Sequence, residues 1–264
     1  VAKFVRRLLI VALIAYVAML AALFVGQRSL IYPAPQERHA PAAGFAAVTL
    51  TTSDGLALQA HLRAPDAGRA TVVWFHGNGG SLAGAAAETA QFAASGYGVL
   101  LVEYRGYGGN PGAPSEQGLY MDGRAAMAFL AARGVTPART IIGGHSLGTG
   151  TATEMARQFS PAALILIAPF TALPDAAAAA VPFAPAQWLV RDKFDNRAKL
   201  PGLAIPVLVL HGTADAVVPF AQGKSLAAAS PRATFQAFAG AGHELSFQPD
   251  AQAAQLAWLA EQGL

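Results

Sequence analysis

Thr140-Ile141-Ile142-Gly143-Gly144-His145-Ser146-Leu147-Gly148-Thr149-Gly150-Thr151 is the stretch on which the reading of this chain turns. Residues 139–143 carry an apolar β-branched pair suited to a short buried strand, and residues 151–159 suit a helix. Between them Gly144-His145-Ser146-Leu147-Gly148 matches Gly-x-Ser-x-Gly. A strand that reverses into a helix with no spare residues forces its central residue into strained geometry, and a Cβ two positions to either side would collide with the neighbouring element. The Ser146 hydroxyl is then lifted above the sheet, and the Leu147 N–H, at the start of the helix, can face a developing oxyanion. With 27 glycines in 264 residues the motif alone is weak, and an ordinary glycine-rich turn is the competing reading.

The strand and helix around Ser146 belong to a longer alternation. Residues 46–52 and 56–63 read as a hairpin about Ser53-Asp54-Gly55. From residue 70 onward strands at 70–75, 98–104, 163–168, 205–210 and 233–238 alternate with helices at 82–94, 117–132, 220–229 and 249–262. That pattern predicts an α/β chain with a doubly wound, mostly parallel sheet. Ligands of such sheets bind at the carboxyl ends of the strands. His76, Ser146, the Phe170 region, Asp215 and His243 all fall there.

Serine is a weak nucleophile and needs a base that is itself oriented. His211-Gly212-Thr213-Ala214-Asp215 follows one strand, and Gly240-Ala241-Gly242-His243-Glu244 follows the next. We therefore assign Ser146, Asp215 and His243 as the catalytic candidates: nucleophile, orienting acid, and general base and acid. Asp175, Asp192 and Asp195 are rival acids in a segment that does not end a core strand. Glu244 is a weaker base because a carboxylate has low proton affinity near neutral pH. His145 reads as a packing or hydrogen-bonding residue and His211 as structural. The second oxyanion donor is expected from the loop His76-Gly77-Asn78-Gly79-Gly80, at the Asn78 backbone, with Gly77 or Gly79 as alternatives. A phosphate cradle in that loop would call for a Gly-Lys-Ser/Thr ending, which is missing.

The amino terminus is different in kind. Leu8 to Val25 is an uncharged, mostly apolar run of 18 residues, about 27 Å as a helix and close to a bilayer core. Lys3, Arg6 and Arg7 precede it, so the positive-inside rule puts the N-terminus in the cytoplasm and the following domain on the outer, extracytoplasmic side. An uncleaved single-pass anchor over 1–28 is the expectation, followed by a linker at 29–45 broken by Pro33 and Pro35. A cleaved signal peptide and a buried helix are the alternatives, the former without a small-x-small cleavage site after Val25.

Of the 18 basic residues, four flank this run, leaving 14 against 15 acidic ones, so the remainder is near neutral and nucleic acid is not an expected partner. The chain has no cysteine, which excludes disulfides, thiolate metal sites and a Cys nucleophile. No cofactor motif or metal-ligand cluster is visible.

The residues Gln27-Arg28-Ser29-Leu30-Ile31-Tyr32, His76-Gly77-Asn78-Gly79-Gly80, Tyr104-Arg105-Gly106-Tyr107-Gly108, Gly144-His145-Ser146-Leu147-Gly148, His211-Gly212-Thr213-Ala214-Asp215 and Gly242-His243 together resemble the α/β-hydrolase superfamily over about residues 45–264. More narrowly they are similar to membrane-anchored serine hydrolases of the bud-emergence-protein type, whose animal relatives include protein depalmitoylases. The resemblance implies an α/β-hydrolase fold over 46–264, the chain order Ser, acid, His, a nucleophile elbow at Ser146, and hydrolysis of a carboxylic ester or thioester through an acyl-enzyme. It does not carry palmitoyl-protein specificity, since those relatives have cysteine-rich ends and work at the cytoplasmic face. Residues 170–200 stand where related hydrolases insert a cap. Trp188, Leu189 and Phe194 are the expected lining of an acyl pocket, with packing of the cap onto the core as the alternative, and so short a cap implies an open site. A serine peptidase or amidase is the rival within the enzyme class, and a membrane-tethered binding protein that has lost activity is the rival outside it.

Overall fold

The computed structural model describes residues 1–264. An N-terminal helix α1 (Ala2–Ile31) leads into a sheet of eight strands, β1 (Ala46–Thr51), β2 (Ala57–Arg63), β3 (Thr71–Phe75), β4 (Gly98–Val102), β5 (Thr140–His145), β6 (Ala163–Ile167), β7 (Val207–Gly212) and β8 (Ala233–Phe238). The strands lie in the order 1-2-4-3-5-6-7-8. Only β1–β2 and β2–β4 pair antiparallel, and the other neighbours are parallel. The helices are α2 (Leu82–Glu88), α3 (Ala90–Ala94), α4 (Glu116–Ala131), α5 (Gly148–Phe159), α6 (Leu173–Ala180), α7 (Ala186–Leu189), α8 (Asn196–Lys199), α9 (Phe220–Ala228) and α10 (Pro249–Glu261).

The central strands read as unbroken apolar runs because both of their faces are covered. Val73, Phe75, Ile142, Leu164, Leu166 and Val209 share a core with α4, α5 and α9. Their neighbours Val72, Trp74, Ile141, Ile165 and Leu208 share the opposite one with α2, α3 and α10. The period of two along each strand divides the side chains between the layers. The expected hairpin closes through Gly55 at φ +85°, and its register pairs Thr51 with Ala57.

Two expectations shift. The helix expected over 82–94 is two helices, parted at Thr89, whose hydroxyl bonds back to the Ala85 carbonyl. The N-terminal helix does not stop at Arg28: α1 runs to Ile31, and the residues just after it are tied to the domain. Tyr32 is buried, Gln36 bonds the Gly106 carbonyl, and the Gly108 N–H donates to Pro35.

The turn from β5 into α5 is set by backbone proximity. A Cβ on Gly144 would stand 2.6 Å from the Gly148 carbonyl, and one on Gly148 would overlap the Phe75 carbonyl of β3. Strand β3 and the start of α5 therefore touch backbone to backbone. We expect Gly148→Ala to cost about 2–3 kcal/mol or to prevent folding, as overpacking against main chain does. Urea denaturation measures this, and a midpoint equal to that of the parent protein would refute the contact.

Candidate active site

Ser146 has φ +50°, a left-handed conformation that costs a non-glycine residue about 1–2 kcal/mol. Its backbone is held on both sides. The Ser146 N–H donates to Ile167, and its carbonyl accepts from the N–H and hydroxyl of Thr149 at 3.0 and 2.6 Å. With the carbonyl turned into the helix, planarity of the peptide turns the Leu147 N–H the opposite way. That N–H bonds no protein acceptor.

The other two catalytic candidates come to Ser146 from the next strands. His243 Nε2 is 2.9 Å from Ser146 Oγ, and His243 Nδ1 is 2.8 Å from Asp215 Oδ2. The Asp215 side chain is fully buried and both of its oxygens are engaged. Its Oδ1 accepts the N–H groups of Val217 and Val218, and its Oδ2 also faces His211 Nε2 at 3.2 Å. Burial alone would raise this carboxyl, but the hydrogen bonds from His211, His243 and Val218 outweigh it and hold Asp215 well below the usual carboxylate range. An anion on Nδ1 places the Nδ1 proton and leaves Nε2 free to accept one from Ser146. The arrangement can generate a nucleophilic alkoxide and later protonate a leaving group.

Asn78 and Leu147 line the same pocket. The Gly77 carbonyl accepts from Gly80 N–H at 3.1 Å and lies 2.8 Å from His76 Nδ1, so the Asn78 N–H, on the other edge of that peptide, points away and bonds no protein acceptor. Tyr107 donates to the Asn78 carbonyl and Tyr104 to the His76 carbonyl, so the residues Tyr104 and Tyr107 clamp the loop from outside. Gly80 leaves room for the His76 ring, which a Cβ there would meet at 2.6 Å.

Two buried carboxylates that the sequence reading passed over support these loops. His76 Nε2 is 2.8 Å from Glu103, while its Nδ1 faces a carbonyl. His145 Nδ1 is 2.8 Å from Glu88, and its Nε2 is 3.0 Å from the His243 carbonyl. Each ring has an oxygen that only accepts at both nitrogens, so each is an imidazolium paired with a carboxylate. Burial opposes the charge on His76 and His145, but Glu103 and Glu88 overcome it and raise both rings above the ordinary histidine value. Glu88 is also bonded by Trp74 and Ser246 and is held low in spite of its burial. The available signal was a lone carboxylate inside an otherwise apolar strand end or helix.

Two clefts meet at Ser146. One, of about 270 Å³, is lined by 19 residues, 16 of them hydrophobic, and the rest are Gln27, Asn78 and Ser146. The cap residues Leu173, Ala177, Val181 and Leu189 form one side of it, and Leu23, Leu30 and Ile31 of α1 form another. The second, about 190 Å³, lies on the His243 side and is lined by Gly77–Gly80, Glu88, His145, Glu244 and Phe247.

The expected pocket residues Trp188 and Phe194 are not in either cleft. Trp188 is 86% exposed on the outer face of α7, while Leu189, one helical step on, turns inward. Phe194 is fully buried elsewhere, seated against Gly150 and edge-on to Tyr120, with its ring centroid 5.5 Å away. It pins the cap to α5 and α4. The sequence reading assigned the pocket walls to the cap alone and missed those from α1.

Stability should fall on both sides of neutrality. Glu88, Asp215 and Glu154, the last lowered to about 2 by Arg157, Gln158 and Lys199 against the opposing effect of burial, have depressed folded values, so their contribution is present above the unfolded carboxylate value near 4 and is lost as pH drops below it. His76 and His145 are raised, so theirs is present below the unfolded histidine value of about 6.5 and is lost as pH climbs through the folded values. Urea midpoints taken from pH 2 to 10 check both limbs. A midpoint unchanged between pH 4 and 2 would contradict the acid limb, and one that rises steadily above pH 7 would contradict the alkaline one.

Relatives place these features in context. The family described as serine aminopeptidase, S33, matches residues 66–196. The uncharacterized protein Rv2307c of Mycobacterium tuberculosis is 37% identical over 250 residues, covering 90% of this chain and 88% of that protein. Lysophosphatidylserine lipase ABHD12 of Macaca fascicularis is 35% identical over 192 residues, 64% of this chain and 48% of that protein. Among solved structures, an α/β hydrolase from Vibrio vulnificus superposes with a TM-score of 0.72 at 24% identity, covering 93% of this chain and 92% of that one. Kinship along most of the sequence and a shared sheet in three dimensions agree: this chain belongs to one family with Rv2307c and has the α/β-hydrolase fold.

Proposed function

We propose that the protein is a serine hydrolase that cleaves carboxylic ester or thioester bonds. The observation that carries this reading is the chain of contacts Asp215–His243–Ser146 at 2.8 and 2.9 Å, beside two N–H groups without protein acceptors. Ser146 Oγ attacks the acyl carbon as His243 Nε2 takes its proton. The tetrahedral oxyanion is held by the N–H groups of Leu147 and Asn78. His243 then protonates the departing oxygen or sulfur, and the acyl group remains on Ser146. Water, deprotonated by the same nitrogen, attacks the acyl-enzyme and releases a carboxylate.

The two clefts divide the substrate. A leaving group must depart on the side of the proton donor, so it occupies the polar cleft beside His243 and Glu244. The acyl part lies in the apolar cleft between the cap and α1. A relative named as a lysophosphatidylserine lipase supports an acyl-lipid ester, although this chain spans only about half the length of that relative. The motif Gln27 to Tyr32, following the apolar run Leu8–Val25, supports the membrane-anchored, bud-emergence-type branch of the superfamily.

A peptidase is the second reading, favoured by the serine aminopeptidase description of the matching family. Recognition of a free amino terminus on the acyl side calls for a carboxylate, and the apolar cleft has no charged residue in its lining. The ester reading is therefore preferred.

Ser146→Ala should abolish labelling by a fluorophosphonate probe and lower ester turnover by at least 10³-fold with unchanged thermal unfolding. Turnover within tenfold of the parent would remove Ser146 from the mechanism. With each buried methylene worth about 0.8 kcal/mol, kcat/KM of the full chain should rise at least tenfold from butyryl to octanoyl esters. A fall along that ladder would remove the apolar cleft from the acyl site.

The 30-residue helix α1 acts as a single-pass anchor, with Lys3, Arg6 and Arg7 on the cytoplasmic side and the catalytic domain across the membrane. Protease added to intact spheroplasts should digest the catalytic domain. Its full protection would reverse the orientation.

A further inference from the structure

Side-chain hydrogen bonds join the second half of α1, and Tyr32 just past it, to the cap. The Tyr16 hydroxyl donates to the Phe183 carbonyl at 2.8 Å. Gln27, only 7% exposed, donates to the Leu189 carbonyl and accepts from the Arg191 N–H. The Tyr32 hydroxyl donates to Asp192. Tyr16 lies near the middle of the uncharged run Leu8–Val25, roughly 13 Å from its Val25 end at 1.5 Å per residue. If that run fills the hydrocarbon of a bilayer, the cap tip at Phe183 lies at the same depth.

The composition of the tip suits that depth. Residues 176–190 carry no ionisable side chain, and the first charges on either side are Asp175 and Arg191. Phe183 is 58% exposed and points its bulk outward together with Trp188. Backbone polar groups in lipid must be satisfied internally. In the turn between α6 and α7, Pro182 and Pro185 have no N–H to satisfy, Val181 donates to Ala177, and Ala184 donates to Val181. The bond between Tyr16 and Phe183 satisfies a carbonyl of the turn and the one hydroxyl of the mid-span helix together. Charges return at one level: Arg28 is exposed on the last turn of α1, and the Arg191 guanidinium sits 4.1 Å from the centre of the Phe24 ring. Both are placed for lipid phosphates.

We propose that the α6–α7 tip is inserted in the bilayer leaflet on the catalytic side, packed against α1, and that the apolar cleft takes its substrate from that leaflet. The substrate class is then a membrane-resident acyl ester, its chain between Leu23, Leu30 and Ile31 of the anchor and Ala177, Val181 and Leu189 of the cap, its ester at Ser146 near headgroup level. The substrate class rests on Ser146 being the acyl-accepting nucleophile, whereas the insertion does not.

The lack of native cysteine makes the test direct. Full-length Phe183→Cys, labelled with an environment-sensitive fluorophore and reconstituted in phosphatidylcholine vesicles, is compared with Val17→Cys in α1 and Lys224→Cys on the exposed face of α9. The label at 183 should match that at 17 in blue shift and in quenching by nitroxides on the acyl chains, and the label at 224 should stay water-like. Emission at 183 equal to that at 224, with no lipid quenching, overturns the insertion. Phe183→Asp/Trp188→Asp should then lower hydrolysis of a long-chain nitrophenyl ester carried in the vesicles at least tenfold while leaving a soluble butyrate ester within twofold. Equal losses on both, or no loss on either, overturn delivery from the leaflet. Ser146→Ala, run alongside, separates these results from a failure of the nucleophile assignment, which would leave its turnover intact and the fluorescence readings unchanged.

Discussion

The backbone contact between β3 and the first turn of α5 is the constraint on which the site depends. Because Gly148 lies against the Phe75 carbonyl, the chain must leave β5 and enter α5 through only Ser146 and Leu147, and Ser146 takes φ +50°. The strain is modest against the two apolar cores that enforce it. It has two results at once. The hydroxyl stands clear of the sheet, and the Leu147 N–H faces outward because the Ser146 carbonyl is held by Thr149. Strands β7 and β8 carry Asp215 and His243 to the same end of the sheet, so the separation of the three residues in sequence is cancelled by parallel pairing of β5, β6, β7 and β8.

Two buried imidazolium–carboxylate pairs flank this turn, and burying charge is costly unless the partners are complete. Both are complete. His76 spends one N–H on Glu103 and the other on the Gly77 carbonyl, whose orientation decides where the Asn78 N–H points. His145 spends one on Glu88 and the other on the His243 carbonyl, and so fixes the backbone that presents the His243 ring to Ser146. Glu88 in turn joins Trp74 of β3 and Ser246 beyond β8. Together with Tyr104 and Tyr107, these pairs act as clamps on the glycine-rich loops.

Much of this was legible in the sequence because it is written in local terms. Alternating apolar strands, Ser53-Asp54-Gly55, the glycines around Ser146, and Asp215 and His243 at strand ends each declare themselves within a few residues. What escaped was written across distance. Gln27 meets Leu189 over 162 positions, and Glu88 meets Ser246 over 158. Nothing local distinguishes such a glutamine or glutamate from a solvated one. The cap misled for another reason. Its alanine and proline run has no period from which to tell an inward face from an outward one, so Trp188, Leu189 and Phe194 were all expected to line the pocket, and only Leu189 does.

The placement of Gln27 bears on what α1 is for. A tether that only holds a domain near a membrane has no reason to bury an amide, since each polar group taken out of water must find partners. Gln27 has three, two of them on the cap, and Tyr32 adds a bond to the buried Asp192 just beyond. The bonds fix the rotation of α1 about its axis, and that rotation brings Leu23, Leu30 and Ile31 to the cleft beside Ser146. The wall of the pocket is therefore built by polar contacts that specify a single docking of the helix, with apolar residues filling the space so defined. A chain cut after Arg28 would keep the sheet, the turn and the clamps, yet lose Leu23 and Gln27 together, and with them both the surface and the register of one side of the pocket.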